Sequence, residues 1–412
     1  MKNDFDFVEE FRKLDLAMPK CGSWTRGSEN CDYGDITVQS RDCYMCFNTG
    51  QCRDTYYSED CRALTDCVDC TFCEECELCY QCVDCDNCYN CDFCQDCTNC
   101  QNCRFSYDLK RCKDCFGCVG LRDKQYYIFN KKYSKEDYEK FVGQFEMSQT
   151  GFVWKKVEEL KKPTPRMYSH QLDNQNCTGD YIYHSKNCFK CFDTRHAEDS
   201  GYIALANLDK GPKDCWDCGP TPTALELCYD GCFSNYCFNS NHFYFCAKLI
   251  DSKWCSNCIE STNLFGFNFI KNRNDGFYIL NEQVSEEFYR KKTGEISEDL
   301  KRRGISMFWD LLYRDLSKKF VQLPDDQLER ECNDCGANFE IVEAERDFCM
   351  KQGVMLPIYC FECRVNKRMN LRNKRSVTKR KCDRCQKAII STYGAEAPYR
   401  VVCLDCYWEE LN

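Results

Sequence analysis

Histidine is almost absent from this sequence: His170, His184, His196 and His242 are the only four in 412 residues, and none lies near the C-terminal cysteine pairs. A metal site in such a chain must be mostly thiolate, which favours zinc, copper(I) or iron–sulfur over harder ions. Long apolar runs are lacking too. The opening Met1-Lys2-Asn3-Asp4-Phe5-Asp6, with Glu9 and Glu10 close behind, contains no uninterrupted apolar stretch of the ~7 to 15 residues a signal peptide needs. No window approaches the ~18 apolar residues of a membrane span. These absences lead us to expect a protein of the reducing cytoplasm, where paired cysteines read first as metal ligands. There is no nucleophile elbow, phosphate-binding glycine loop or metalloprotease helix, and no four-cysteine set with an evident open ligand position. A non-enzymatic role, with no membrane and no small-molecule substrate, is therefore expected.

Cysteine, by contrast, is abundant: 42 residues, about one in ten. Small secreted disulfide scaffolds reach that density, but 412 residues are enough for about two to four domains. A cysteine stands at every third position through Cys67, Cys70, Cys73, Cys76, Cys79, Cys82, Cys85, Cys88, Cys91, Cys94, Cys97, Cys100 and Cys103. Cys112, Cys115 and Cys118 resume the phase, and Cys43, Cys46, Cys52 and Cys61 extend it upstream. The residue before the cysteine is often Asp or Asn, as at Asp66, Asp84, Asn87 and Asn99. Both tolerate left-handed backbone and hydrogen-bond their own turn, so the chain is expected to bend at short regular intervals. Tyr80, Tyr89, Tyr107 and Phe116, spaced by nine or eighteen, suggest coils whose length is a multiple of nine.

The pattern recurs. Cys79, Tyr80, Cys88, Tyr89, Asn90, Cys97, Phe116 and Gly117 reappear 149 residues later as Cys228, Tyr229, Cys237, Phe238, Asn239, Cys246, Phe265 and Gly266. After a two-residue insertion, Tyr127-Ile128-Phe129-Asn130 and Ser134 match Tyr278-Ile279-Leu280-Asn281 and Ser285. Agreement of polar, aromatic and cysteine positions together points to internal duplication. Ser134 with Asp137, and Ser285 before Glu286-Glu287, read as starts of capping helices that close each half. Ser297 to about Lys319 reads as helical, with Leu300, Met307, Leu311, Leu312 and Leu316 on one face. Phe7, Val8, Phe11 and Leu14 form a shorter amphipathic segment, and core or cap packing accounts for both better than a partner-binding helix.

The expected fold is thus mainly β: a duplicated, cysteine-rich, β-helix-like solenoid with helical caps, followed by two small zinc-ribbon or treble-clef modules. Its parts would be an N-terminal amphipathic segment (1–20), a first solenoid (21–125), a cap and linker (126–165), a second solenoid (166–276) and its cap (277–325). A first ribbon (326–366), a basic linker (367–381) and a second ribbon (382–412) would follow. Pro163, Pro165 and Pro324 mark the joints.

A Cys-x2-Cys pair brings two sulfurs to one side of a tight turn, and two such pairs complete a tetrahedral shell at ~2.3 Å from zinc. Cys382/Cys385 and Cys403/Cys406 are separated by seventeen residues, and Cys332/Cys335 and Cys360/Cys363 by twenty-four. Both gaps suit structural zinc, whose binding would supply folding energy that so small a segment lacks; Cys349 reads as plain packing. The run Cys332-x2-Cys335-Gly336-x2-Phe339, Glu343, Glu345, Phe348, Pro357, Cys360-x2-Cys363-Arg364 resembles the probable zinc-ribbon family of small bacterial domains. The wider chain, with its triplet cysteines and its final Cys382–Tyr407 segment, is similar to cysteine-rich repeat proteins of uncultured, small-genome bacteria. The resemblance implies two structural zinc ions and no activity.

For the solenoid cysteines three readings stay open: neutral packed thiols, zinc shared between coils, or iron–sulfur. No Cys-Pro step follows the triplets, which weakens the last. Residues 61–103 carry nine Asp or Glu and one Arg, an awkward place for further anionic thiolate sites. The chain is also polarised. Residues 332–412 hold 14 Lys or Arg against 11 Asp or Glu, while the chain as a whole carries −10. Arg364, Lys367, Arg368, Arg372, Lys374, Arg375, Lys379, Arg380 and Lys381 form a basic run that suits a phosphate backbone, ribosomal RNA included, or a protein partner. Two functions compete: a cytoplasmic scaffold with a zinc-stabilised binding tail, and a thiol-rich metal reservoir or redox protein working through the solenoid cysteines.

Overall fold

The computed structural model describes residues 4–23, 25–50, 53, 101–164, 169, 171–206, 211–217, 223–226, 235–238, 241–243, 249–256, 259–268, 271–273, 276–371 and 378–411. Eight α-helices are among them: α1 (Phe7–Ala17), α2 (Lys135–Gly143), α3 (Thr150–Lys161), α4 (Glu286–Arg302), α5 (Phe308–Tyr313), α6 (Glu343–Gln352), α7 (Phe361–Leu371) and α8 (Leu404–Leu411). With many short strands between them, the described chain is mixed rather than mainly β. No described helix is long and apolar enough to cross a membrane.

Most strands pair in parallel, and their register explains the triplets. Thr37 pairs with Thr49, Cys103 with Cys115, Cys115 with Tyr127, Gly179 with Cys191, Lys186 with Glu198 and Cys237 with Leu249, each twelve residues on, while Gln171 with Ile182 and Leu264 with Tyr278 are eleven and fourteen apart. Twelve residues are four triplets, so the phase closes after four bends, and the expected multiple of nine is not the pairing distance. A nine-residue step does occur between thiols and carbonyls. Cys103, Cys112, Cys115 and Cys118 aim Sγ at the carbonyls of Cys112, Leu121, Lys124 and Tyr127, nine positions ahead, at 3.4 to 3.8 Å.

Most bends place a left-handed residue just before an inward one, although Asp123 precedes exposed Lys124. Asp42, Asn102, Asp114, Asn187, Asp199 and Asp251 have φ between 48° and 53°. The residues that follow them, Cys43, Cys103, Cys115, Cys188, Ser200 and Ser252, are at most 2 % exposed. Asp and Asn suit the bend because their short polar side chains lower the cost of that conformation. The same side chains tie neighbouring levels together: Asn30 donates to Asp42, Asn102 to Asp114 and Asn187 to Asp199, at 2.7 to 2.9 Å. Inward positions are small and self-satisfied. The Oγ atoms of Ser106 and Ser185 accept the N–H groups of Cys118 and Ala197, both at 3.1 Å.

Two strand runs end alike. Ile128 pairs antiparallel with Lys131, and Ile279 with Glu282; a helix follows each, with Ser134 Oγ accepting Asp137 N–H at 3.1 Å and Ser285 Oγ accepting Phe288 N–H at 3.3 Å. The apolar lids differ in origin. Phe105, Phe116 and Ile128 lie under Val153 and Val157 of α3, whereas Trp254, Phe265 and Ile279 lie under Phe7, Val8 and Phe11 of the distant α1. The stretch expected as one helix from Ser297 is broken, because Gly304 turns left-handed (φ 69°) and fully buried Asp310 accepts the N–H groups of Ser306 and Met307 to start α5 anew. Arg12 then fastens α1 to the end of α5, donating to the carbonyls of Leu311 and Arg314 at 2.8 Å each.

Gly266 sits at φ 63°, and a Cβ there would overlap the Phe7 ring. Gly266→Ala should therefore cost about 2 to 4 kcal/mol, combining backbone strain with overpacking under α1. Urea denaturation reads this, and a change within ~0.5 kcal/mol would contradict the lid assignment.

Candidate metal centres

The two C-terminal modules are built alike. Glu329–Glu331 and Asn338–Glu340 form an antiparallel hairpin with Cys332 and Cys335 in its turn, and Thr378–Lys381 and Ala388–Ser391 do the same for Cys382 and Cys385. Cys332 N–H donates to the Ala337 carbonyl and Cys382 N–H to that of Lys387, both at 2.9 Å. Gly336 (φ 73°) and Gln386 (φ 63°) supply the left-handed step that lets each turn close. The second pair in each module comes from a helix start: Cys360 precedes α7 and Cys363 lies in its first turn, as Cys403 and Cys406 do for α8. Helix N-termini favour anionic sulfur.

In each set the four Sγ atoms lie within 4.8 Å of one another, so Cys332/Cys335/Cys360/Cys363 and Cys382/Cys385/Cys403/Cys406 can each hold a metal ion. Cys335 and Cys360 sulfurs are 3.7 Å apart, and those of Cys385 and Cys403 are 3.8 Å apart. Four sulfurs ~2.3 Å from a zinc ion would have edges of ~3.8 Å, so the spacing fits a tetrahedral thiolate shell. Backbone donors prepare the sulfurs. Cys360 N–H points at Cys332 Sγ (3.3 Å), and the N–H groups of Cys385 and Cys403 point at Cys382 Sγ (3.4 and 3.2 Å). Burial works against ionising these two thiols, but the amide donors outweigh it, bringing Cys332 down to about 7 and Cys382 to about 6. Burial and neighbouring sulfurs push Cys360 up to about 11 and Cys406 up to about 12.

The centres are anchored differently. Around the first, Tyr359 Oη donates to Asp310 Oδ1 at 2.6 Å, and Lys367 Nζ lies 3.3 Å from Asp334. Around the second, Val401 N–H donates to Asp383 Oδ2 at 2.7 Å and Lys20–Cys21 pairs in parallel with Val401–Val402, joining the two ends of the chain. Cys21, Cys382, Val402, Cys406 and Tyr407 share one buried cluster.

The basic run is partly consumed by this packing. Arg364 is 1 % exposed, paired with Asp217 and with Glu345 (2.7 Å), so it is an interior clamp rather than a surface cation. Lys367 is shielded beside Asp334, and Arg380 donates to Asp383 at 3.1 Å. Lys379 and Lys381 are exposed. Arg372, Lys374 and Arg375 lie outside the described residues, as does the side chain of Arg368. Cys67 through Cys100 also lie outside them. Cys103, Cys112, Cys115 and Cys118 are buried, and among the described residues no three thiols of the strand runs gather as a metal group. Cys349 is fully buried in the cluster around Trp216 and Phe348.

Asp217, Glu345, Asp310 and Tyr359 were not evident as partners in the sequence, although one signal was present. Cys360, Arg364 and Lys367 are spaced i, i+4, i+7, a single helix stripe, so a helix that turns Cys360 toward a metal must also turn those two cations inward. Comparison with protein-family models, curated proteins and solved structures finds no match.

Proposed function

We propose that this chain is a non-enzymatic repeat scaffold of the cytoplasm, clipped by two structural zinc ions and carrying a basic C-terminal binding strip. The convergence of four sulfurs at tetrahedral spacing in each C-terminal set carries this reading. Hairpin-plus-helix construction supports modules of the treble-clef kind, in line with the zinc-ribbon resemblance. The twelve-residue register supports successive four-sided coils of a solenoid, a quasi-one-dimensional body that needs capped ends. Thiols aimed at carbonyls support neutral packing inside those coils; the Cys191 thiol and burial push Cys188 up in the same direction, although the Cys115 contact lowers Cys118. That weighs against a metal reservoir in the described coils.

Metal content tests the first half of this reading, and salt dependence tests the second. Exposed Lys379 and Lys381, with Arg368, Arg372, Lys374 and Arg375, would contact phosphates along a single-stranded RNA. Affinity for a short RNA should then fall as salt rises, with a log–log slope of roughly −4, and Lys379→Gln with Lys381→Gln should flatten it by about 1.4. Binding that ignores salt, or that survives Gln at all six positions, would contradict the strip's role.

A further inference from the structure

One helical turn carries two ligands of the first centre and three contacts to distant parts of the chain. Tyr359 reaches Asp310 of α5. Phe361 stacks on Tyr202 (ring centroids 5.4 Å apart, 30°) and on Phe192 (5.9 Å, 23°). Arg364 pairs with Glu345 of α6 and with Asp217, 147 residues away in the strand run, while its guanidinium lies 4.3 Å from the Tyr202 ring centre. Asp217, Glu345, Arg364 and Tyr202 are all at most 1 % exposed.

Such a cluster holds together only while its geometry is held, because a buried charge that loses its partner is strongly destabilising. The eleven residues of α7 are too few to form a stable helix unaided. Its first turn also carries the pair of sulfurs gathered with Cys332 and Cys335. The second centre is placed otherwise: its ligating turn packs on Cys21 and Val402, and none of its described residues enters the Arg364 cluster.

We propose that the first metal centre is a latch: its occupancy decides whether the face of the strand run bearing Phe192, Tyr202, Trp216 and Asp217 stays covered by the C-terminal module. The second centre has no such control. The proposal rests on reading both four-cysteine sets as metal sites. With the ion bound, Tyr359, Phe361 and Arg364 are locked onto three separate elements. With it withdrawn, the turn is released and an aromatic face with a carboxylate at its edge is uncovered.

Hydrogen exchange on the full chain tests this, read at Gly201, Tyr202 and Asp217, whose amides donate to Cys215, Phe189 and Gly201. Removing the first centre with Cys332→Ser and Cys335→Ser should lose one ion and speed these amides about a hundredfold. Removing the second with Cys382→Ser and Cys385→Ser should lose one ion and leave them unchanged. Arg364→Met should keep both ions and speed the same amides about tenfold or more. Stepwise chelation of the unsubstituted chain reads the same amides even if a serine variant does not fold. Unchanged amides after loss of the first ion, or equal loosening after loss of the second, overturn the latch while leaving the metal sites intact. A chain that binds no metal overturns both.

Discussion

Replacing Arg364 with methionine should destabilise the metal-loaded chain by about 3 to 5 kcal/mol at pH 7.5, the cost of leaving buried carboxylates without their cation. Asp217 and Glu345 have almost no access to water, at 1 % and 0 % exposure. Burial already pushes Glu345 up to about 7, with Arg364 pulling it down and Asp217 pushing further. Without the guanidinium, Glu345 sits still further above its ordinary value. Groups of that kind bind more protons folded than unfolded, so the stability they allow is fullest at low pH and falls as pH rises. The penalty of Arg364→Met should accordingly shrink between pH 7.5 and 5.5, and Glu345→Gln in the same background should recover part of it. Urea denaturation at both pH values measures this. A penalty within ~0.5 kcal/mol, or one that grows on acidification, would contradict the clamp.

Withdrawing metal should have the larger effect. Apparent binding free energies of structural zinc in small peptides reach about 10 to 16 kcal/mol near neutral pH, and in such modules binding energy is folding energy. Each hairpin-and-helix unit here has a modest core of its own, so chelation should unfold residues 329–371 and 378–411 rather than merely loosen them. The change should spread beyond the tail, through Tyr359 and Arg364 from the first centre and through Lys20–Cys21 from the second. Tryptophan fluorescence should report it, since Trp216 packs near the first module and Trp408 beside Tyr407 in the second. Retention should also weaken on acidification, because every ligand must lose a proton to bind. Native near-ultraviolet and fluorescence signals after complete chelation would contradict this view.

The two four-cysteine sets were legible because their geometry is local. A Cys-x2-Cys turn and a Cys-x2-Cys helix start bring their sulfurs together whatever surrounds them. The triplet bend was legible in part: Asn102 before Cys103 announces its left-handed backbone by its type, whereas Met45, Phe105, Arg111 and Lys190 take the same conformation before Cys46, Ser106, Cys112 and Cys191 without doing so. Pairing distance was not, because it depends on how many bends separate paired residues, which the spacing of aromatics does not report. Long-range closure was least legible. Nothing in Lys20-Cys21 announces a strand partner at Val401-Val402, and nothing near Asp217 announces Arg364. The basic run misled in part because charge was read along the sequence, while α7 sorts its residues by face and buries Arg364 beside Cys360 and Cys363.

The central claim is that the two C-terminal sets, and not the strand-run thiols, hold metal. Elemental analysis and native mass spectrometry of the intact chain, purified without oxygen, test it most directly. Two zinc ions per chain are expected, one for each four-cysteine set, and no visible cluster absorption. No bound metal, more than about four zinc ions, or an iron–sulfur spectrum would contradict it.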